Sequence, residues 1–165
     1  MTTPSTGPHE FAMDAWISTA PFERLLNITI EKAADGRATL TMPFYREYAN
    51  GAGIMHGGAL VSLADTAIVM AIKSILEPGS HFATIKMEVS FQHPVKKGVV
   101  TARAQVVSKV ERTIEGKVTV FDEDGRAVMQ YATTFKIARD TRLRGITFAD
   151  GAASAPDPST VPEKG

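Results

Sequence analysis

The sixteen residues Asn50 to Asp65, reading NGAGIMHGGALVSLAD, hold the side chains whose types and spacing could do chemistry. Asp65 is the sharpest of them. It sits inside ALVSLADTAIVMAIKSIL, a stretch that is apolar nearly all round, where a carboxylate is costly unless something satisfies it. Leu63, Ala64, Ala67 and Ile68 offer it no partner, whereas Ser62 and Thr66 lie on or near the same helical face. Buried acids with raised pKa values are enriched at active sites, so Asp65 reads as a functional carboxylate. The bland alternative is an aspartate that reaches the rim of a sheet or pairs with a basic residue elsewhere.

His56-Gly57-Gly58 opens the same stretch. Ser, Thr, Asp or Asn would ordinarily cap a helix there, and two glycines are expected to leave its first N–H groups bare. Glycine also lets another group approach the backbone closely, which suits the holding of a developing oxyanion. Gly-Gly alone reads equally well as a flexible joint. Asn50 lies six residues before His56; alone it is a common turn residue, and His56 alone is a common structural histidine. The four histidines His9, His56, His81 and His93 show no metal-ligand spacing, so neither a metal nor another cofactor is expected. Gly51-Ala52-Gly53 begins like a dinucleotide fingerprint, but His56 stands at the third glycine position and no apolar strand precedes it. No G-x-S-x-G elbow is present, and with no cysteine there is no thiolate nucleophile.

These residues need a scaffold, and the flanking sequence supplies one. Asp14 to Leu26 has room for a short helix carrying Trp16, Ile17 and Phe22. Leu26, Ile28 and Ile30 alternate, Asp35-Gly36 turns the chain, and Ala38, Leu40 and Met42 alternate on the return. Phe44 to Met55 is a loop, and Gly58 to Leu76 a helix covered on every side, stopped by Glu77-Pro78-Gly79. Four strands follow. Thr84 to Phe91 carries Ile85, Met87, Val89 and Phe91 on one face, and a turn runs from Pro94 to Gly98. Val99 to Val110 reverses at Glu111-Arg112 into a strand where Ile114, Gly116, Val118 and Val120 alternate; Asp124-Gly125 then leads to Ala127–Ile137. Hairpin-linked strands are antiparallel, so the pattern predicts an α+β domain whose sheet wraps one buried helix and leaves an edge for another subunit. Residues 14–142 form that domain, 1–13 are expected to be loosely ordered, and 143–165, rich in Gly, Ala, Ser and Pro, are expected to be a disordered tail.

The 165 residues suit one domain, and acids and bases balance at 18 each. That balance gives no reason to expect a nucleic acid or an acidic membrane as partner. The longest apolar run is too short and too interrupted to span a bilayer, and the N-terminus lacks the pattern of a signal peptide. A cytoplasmic protein is expected.

The pattern N-x5-HGG-x6-D, followed by a buried helix and four strands, resembles the hotdog-fold thioesterase superfamily. It is similar in particular to the PaaI-like (phenylacetate-pathway) branch, which includes human thioesterase superfamily member 2. The likeness runs from about Asn27 to Ile137 and takes in TIKMEVSF and DEDGRAVMQYATTF. It implies an acyl-CoA thioesterase without a cofactor, coenzyme A being part of the substrate. It further implies Asp65 as the base or nucleophile, the Gly57 N–H as the group that polarises the thioester carbonyl, and Asn50 and His56 as positioning groups. Thr84 falls at the position where that family holds the water. The resemblance also implies a homo-oligomer, commonly a homotetramer built as a dimer of dimers. Spacing argues for the dimer independently: Gly57 and Asp65, eight residues apart, stand about 12 Å apart along a helix, too far to grip one carbonyl and its water.

Two other readings compete. A non-catalytic acyl-CoA-binding or sensing hotdog protein would bind without turnover. As a DNA-binding regulator it would need a helix-turn-helix, for which only about 25 residues precede the first strand. A hotdog dehydratase or hydratase would pair His56 with Asp65, although the HGG at the helix start resembles the thioesterase pattern instead. Met55, Leu60, Leu63, Phe82 and Met87 are candidate acyl-pocket residues and equally good core residues. Arg46, Lys96, Lys97 and Arg112 could meet the phosphates of coenzyme A.

Overall fold

The computed structural model describes residues 2–142 and 145–151, without the side chains of 140–142. In chain order the elements are β1 (Phe11–Met13), α1 (Pro21–Leu25), β2 (Thr29–Ala34), β3 (Arg37–Pro43), a 3-10 turn (Arg46–Tyr48) and α2 (Gly57–Lys73). They continue with β4 (Ser80–Phe91), β5 (Val99–Val110), β6 (Thr113–Phe121), β7 (Ala127–Arg142) and β8 (Ile146–Phe148). Six strands form one antiparallel sheet in the order β2-β3-β5-β6-β7-β4, and α2 packs mainly over β3, β5 and β6. The predicted α+β arrangement of six strands around one long helix is therefore observed.

The alternation in the sequence becomes the inner face of this sheet. Ala38, Leu40 and Met42 of β3, and Ile114, Val118 and Val120 of β6, are buried against Leu60, Leu63, Ala64, Ala67, Ile68 and Ile72 of α2. Each large side chain so buried stabilises the domain by about 1.5–3 kcal/mol before entropy is counted. The β2–β3 hairpin turns at Asp35 and Gly36, both at positive φ (51° and 73°), as an Asp-Gly turn of the primed type requires.

Helix and sheet approach most tightly at Gly116. A Cβ there would lie 2.4 Å from Ile68 Cδ1 and 2.5 Å from its Cγ1, and Ile68 is fully buried. Gly116→Ala is therefore expected to destabilise the domain by about 1–3 kcal/mol, read as a lower urea midpoint with unchanged slope.

Both ends of the chain depart from the sequence reading. Phe11–Met13, expected to be loose, pairs in parallel with Ile146–Phe148, inside the expected tail. The anchor is apolar: Met13 and Trp16 are buried, and the rings of Trp16 and Phe148 meet edge to face at 5.8 Å. The remainder of the expected tail, residues 143, 144 and 152–165, lies outside the described residues. The short helix for which Asp14–Leu26 has room is Pro21–Leu25, so it carries Phe22 but not Trp16 or Ile17. Proline disfavours helical geometry in the residue before it and is well placed at the first helical position, so the helix begins at Pro21. Trp16 instead docks on the end of α2, its Nε1 donating to the Lys73 carbonyl (3.1 Å) while Lys73 Nζ donates to the Trp16 carbonyl (3.0 Å).

β4 is an edge strand, and it begins four residues before the expected Thr84. A bulge between Thr84 and Lys86 resets its alternation, after which Met87, Val89 and Phe91 stand opposite the inward residues Thr133, Tyr131 and Met129 of β7. α2 lies mainly over β3, β5 and β6 and leaves much of this strand uncovered. Met87 and Phe91 remain 45% and 56% exposed, and Ile85 at the bulge 57%.

Candidate active site

Asp65 lies two turns into α2 and is partly buried. Neither of the neighbours expected to satisfy it does so: Ser62 Oγ donates back to the Gly58 carbonyl (2.7 Å), and Thr66 Oγ1 points to Glu23 Oε1 (3.5 Å). The partners come from the sheet. Tyr131 Oη of β7 donates to Asp65 Oδ1 at 2.6 Å, and Thr84 Oγ1 of β4 donates to the same oxygen at 3.1 Å. No lysine or arginine pairs with Asp65 among the described residues. Its Oδ2 accepts no hydrogen bond from them, and since no buried side-chain polar atom lacks a partner, Oδ2 is open to solvent.

Tyr131 is a site residue that pattern reading did not single out. Its ring belongs to the inward row of β7 with Met129, Thr133 and Phe135, and only 2% of the residue is exposed. The signal for it was available: a tyrosine in an otherwise apolar inward row needs a partner for its hydroxyl. Burial pushes its phenol well above the ordinary range, and the hydrogen bond to Asp65 pushes the same way. The stability contributed by this neutral phenol is complete below about pH 10, the value of an unfolded tyrosine, and is lost as pH rises through the higher folded value. Urea midpoints of the native protein are accordingly expected to fall above pH 10 more steeply than those of Tyr131→Phe.

At the other end of this helical segment, His56 is the N-cap of α2. The two glycines do not both leave bare donors: His56 Nδ1 accepts from Gly58 N–H at 2.8 Å. This is a correction, and its cause is that the imidazole nitrogen does what a Ser or Asp oxygen does in an ordinary cap. The Gly57 N–H has no hydrogen-bond partner among the described residues, so the open donor is one, not two. The Asn50 carboxamide oxygen accepts from Ala52 N–H (2.9 Å) and Ile54 N–H (3.3 Å), closing the loop on itself and leaving the side-chain NH2 unbonded to the described residues. Two adjacent N–H groups fasten the C-terminal end of the loop, Met55 N–H to the Val95 carbonyl (2.9 Å) and His56 N–H to the Tyr48 carbonyl (2.7 Å).

A cavity of about 360 Å³ opens beside Gly57, lined by Asn50, Ile54, Met55, Leu60, Phe91 and the 92–95 segment. The Phe91 ring lies so close over Gly57 that an added Cβ would come within 3.1 Å of it. Asp65 and Thr84 are not among the residues lining this cavity. Of the candidate pocket residues, Met55 and Leu60 line it, Leu63 is fully buried core, Phe82 packs on Phe135, and Met87 is exposed on β4. Of the candidate phosphate contacts, Lys97 is paired with Glu123 (3.2 Å) and Arg112 donates to the Ile137 carbonyl (3.0 Å); Arg46 and Lys96 are exposed. Among the described residues no cluster of three or more His, Asp or Glu side chains could hold a metal ion, and no helix is long and apolar enough to cross a membrane.

Comparison with known proteins agrees with this geometry. The family model described as the thioesterase superfamily matches residues 52–129, the span from the loop before α2 to the start of β7. ComA2 of Bacillus subtilis, a protein that carries an esterase name, is 30% identical over 105 residues, which cover 62% of this chain and 82% of ComA2. The chain belongs to the thioesterase superfamily. Its fold is the hotdog, and its general activity class is thioester hydrolysis. Among solved structures, the Escherichia coli PaaI protein from the phenylacetic acid degradation operon superposes with a TM-score of 0.68 at 26% identity, over 78% of this chain and 88% of that one. A thioesterase-family protein of Streptococcus pneumoniae, solved with coenzyme A, superposes with a TM-score of 0.63 at 25% identity, over 68% of this chain and 86% of that one. The likeness to the PaaI-like branch thus extends to fold and sequence together.

Proposed function

We propose that this thioesterase-superfamily chain hydrolyses an acyl-CoA to the free acid and coenzyme A, with Asp65 activating water. The observation that carries the reading is a helix carboxylate with one oxygen held by two hydroxyls, the other open, and no cation beside it. Asp65 Oδ2 takes a proton from water as the oxygen attacks the thioester carbonyl. The oxyanion that forms is met by the Gly57 N–H, with the dipole of α2 aimed at it. Collapse of the intermediate breaks the C–S bond, and the leaving thiolate recovers the proton from Asp65. Asn50 and His56 shape the loop and cap that present Gly57, and Thr84 steadies Asp65 at the point where water enters. The step needs no metal and no redox cofactor.

The distance between the two halves of this machinery supports a site shared by two copies. Gly57 and Asp65 are about 12 Å apart on one rigid helix, and the cavity beside Gly57 is not lined by Asp65. The uncovered inner face of β4, with Met87 and Phe91, and its unpaired edge offer the surface through which a second copy brings its Asp65 to the first copy's Gly57. Pairing of such dimers into a homotetramer in the cytoplasm completes the proposal. The coenzyme A complex of the pneumococcal relative supports the choice of substrate class.

The test is steady-state release of thiol from a panel of short, medium and aromatic acyl-CoAs. Turnover of any member with Asp65 intact and not without it is the expected result. Binding of the panel without thiol release would favour the non-catalytic reading, and hydration of a 2-enoyl-CoA without thiol release the hydratase one.

A further inference from the structure

Within the machinery just described, Tyr131 is the group whose hydroxyl has no role in the packing. Its ring fills an inward position of β7 that a phenylalanine would fill equally well, as Phe135 does four residues on. The hydroxyl donates to Asp65 Oδ1 at 2.6 Å and lies beside the Thr133 side chain. We infer that Tyr131 is a positioning residue for the hydrolysis: its hydroxyl, with that of Thr84, holds Asp65 Oδ1 so that Oδ2 alone faces the water and the thioester. The inference rests on the reading of Asp65 as the carboxylate that activates water.

The geometry of the two donors supports it. Tyr131 and Thr84 stand on neighbouring antiparallel strands, β7 and β4, in the rows where Val89 opposes Tyr131 and Thr84 opposes Phe135. They approach Asp65 from the sheet while its main chain is fixed in the helix. A carboxylate can turn about its last torsion and exchange its two oxygens; two hydroxyls on one oxygen remove that freedom. Hydrogen bonds from hydroxyls to an ionised carboxylate are short and strong, and 2.6 Å lies in that range. Neither donor adds a charge, so the carboxylate is fixed without being neutralised by a lysine or arginine. Satisfying a half-buried acid would need donors on either oxygen. Both donors lie on the same one, and the vacant oxygen is the one open to solvent.

Kinetics of Tyr131→Phe, Thr84→Val and Asp65→Asn beside the native chain test this. In Tyr131→Phe kcat is expected to fall about 10-fold with KM within about 2-fold of native and the oligomer and melting transition retained, because only orientation is lost. Thr84→Val, which keeps the β-branched shape of the strand residue, is expected to show the same split, so the claim stands or falls even if one variant does not fold. In the Asp65→Asn background, Tyr131→Phe is expected to lower the residual rate no further. A folded Tyr131→Phe or Thr84→Val with native kcat would overturn the inference, as would a fall in kcat matched by a rise in KM, while leaving the role of Asp65 intact. An Asp65→Asn variant with full turnover would remove the role of Asp65, and that of Tyr131 with it; a native chain with no turnover would remove the hydrolase reading itself.

Discussion

Replacing Asp65 by asparagine is expected to lower kcat on an acyl-CoA by about 100-fold or more while the protein stays folded and KM changes little. The carboxamide has the size and shape of the carboxylate. Its oxygen can still accept from Tyr131 Oη and Thr84 Oγ1, so the junction between α2 and the β4–β7 end of the sheet keeps both hydrogen bonds. What it cannot do is take a proton from water. The expected signature is therefore loss of turnover with a melting temperature close to native, measured by thiol release and by thermal unfolding on the same preparations. Single turnover in H2(18)O adds a distinction within the carboxylate mechanisms. If Asp65 acts as base, the first product acid carries the solvent oxygen. If it attacks directly and water then opens the resulting anhydride at the Asp65 carbonyl, the label enters Asp65 and the first product is unlabelled. An Asp65→Asn chain that retains the native rate would show that the carboxylate is not the group that activates water.

The parts of this site that could be read from sequence are those whose residues lie close together in the chain. Asn50, His56, Gly57 and Asp65 lie on one loop and one helix, and N-x5-HGG-x6-D marks them without knowledge of the sheet. The buried helix and its sheet were equally legible: the alternation in β3 and β6 and the Asp-Gly turn are local signals, and α2 is apolar on every face because the sheet curls round it. What could not be read was what meets across the fold. Tyr131 lies 66 residues from Asp65 and touches it through strand order alone, so helix periodicity suggested Ser62 and Thr66 instead. The cap of α2 was missed for a different reason: histidine is not a common N-cap residue, and its nitrogen fills the role only in the conformation adopted here. The exposure of Met87 and Phe91 follows from the bulge near Thr84 and from where the helix lies, neither of which an alternating pattern encodes. At the chain ends, a polar composition concealed two apolar anchors, Met13 and Phe148.

Two inactive variants are expected to restore activity when they are combined. In Gly57→Leu the new side chain projects toward the Phe91 ring, which already lies within 3.1 Å of an added Cβ, and it occupies the cavity mouth where the carbonyl must reach the Gly57 N–H. Thermal unfolding of this variant checks that the fold tolerates the change. That chain keeps its own Asp65, and the Asp65→Asn chain keeps its own Gly57. In a two-fold dimer whose sites each take Gly57 from one copy and Asp65 from the other, a mixed dimer has one site with both lesions and one with neither. Random exchange makes about half the dimers mixed, so co-refolded equal amounts should recover about one quarter of the native rate. Sites built within a single chain would recover nothing at any mixing ratio, because every copy would still carry one lesion. Size-exclusion chromatography of the mixture establishes that dimers have formed, which separates failure to associate from failure to complement. The decisive quantity is the separation of about 12 Å between Gly57 and Asp65 on one helix. No side-chain rotation closes that gap, and so the proposed reaction calls for a second copy, whose arrival would also cover the apolar face of β4.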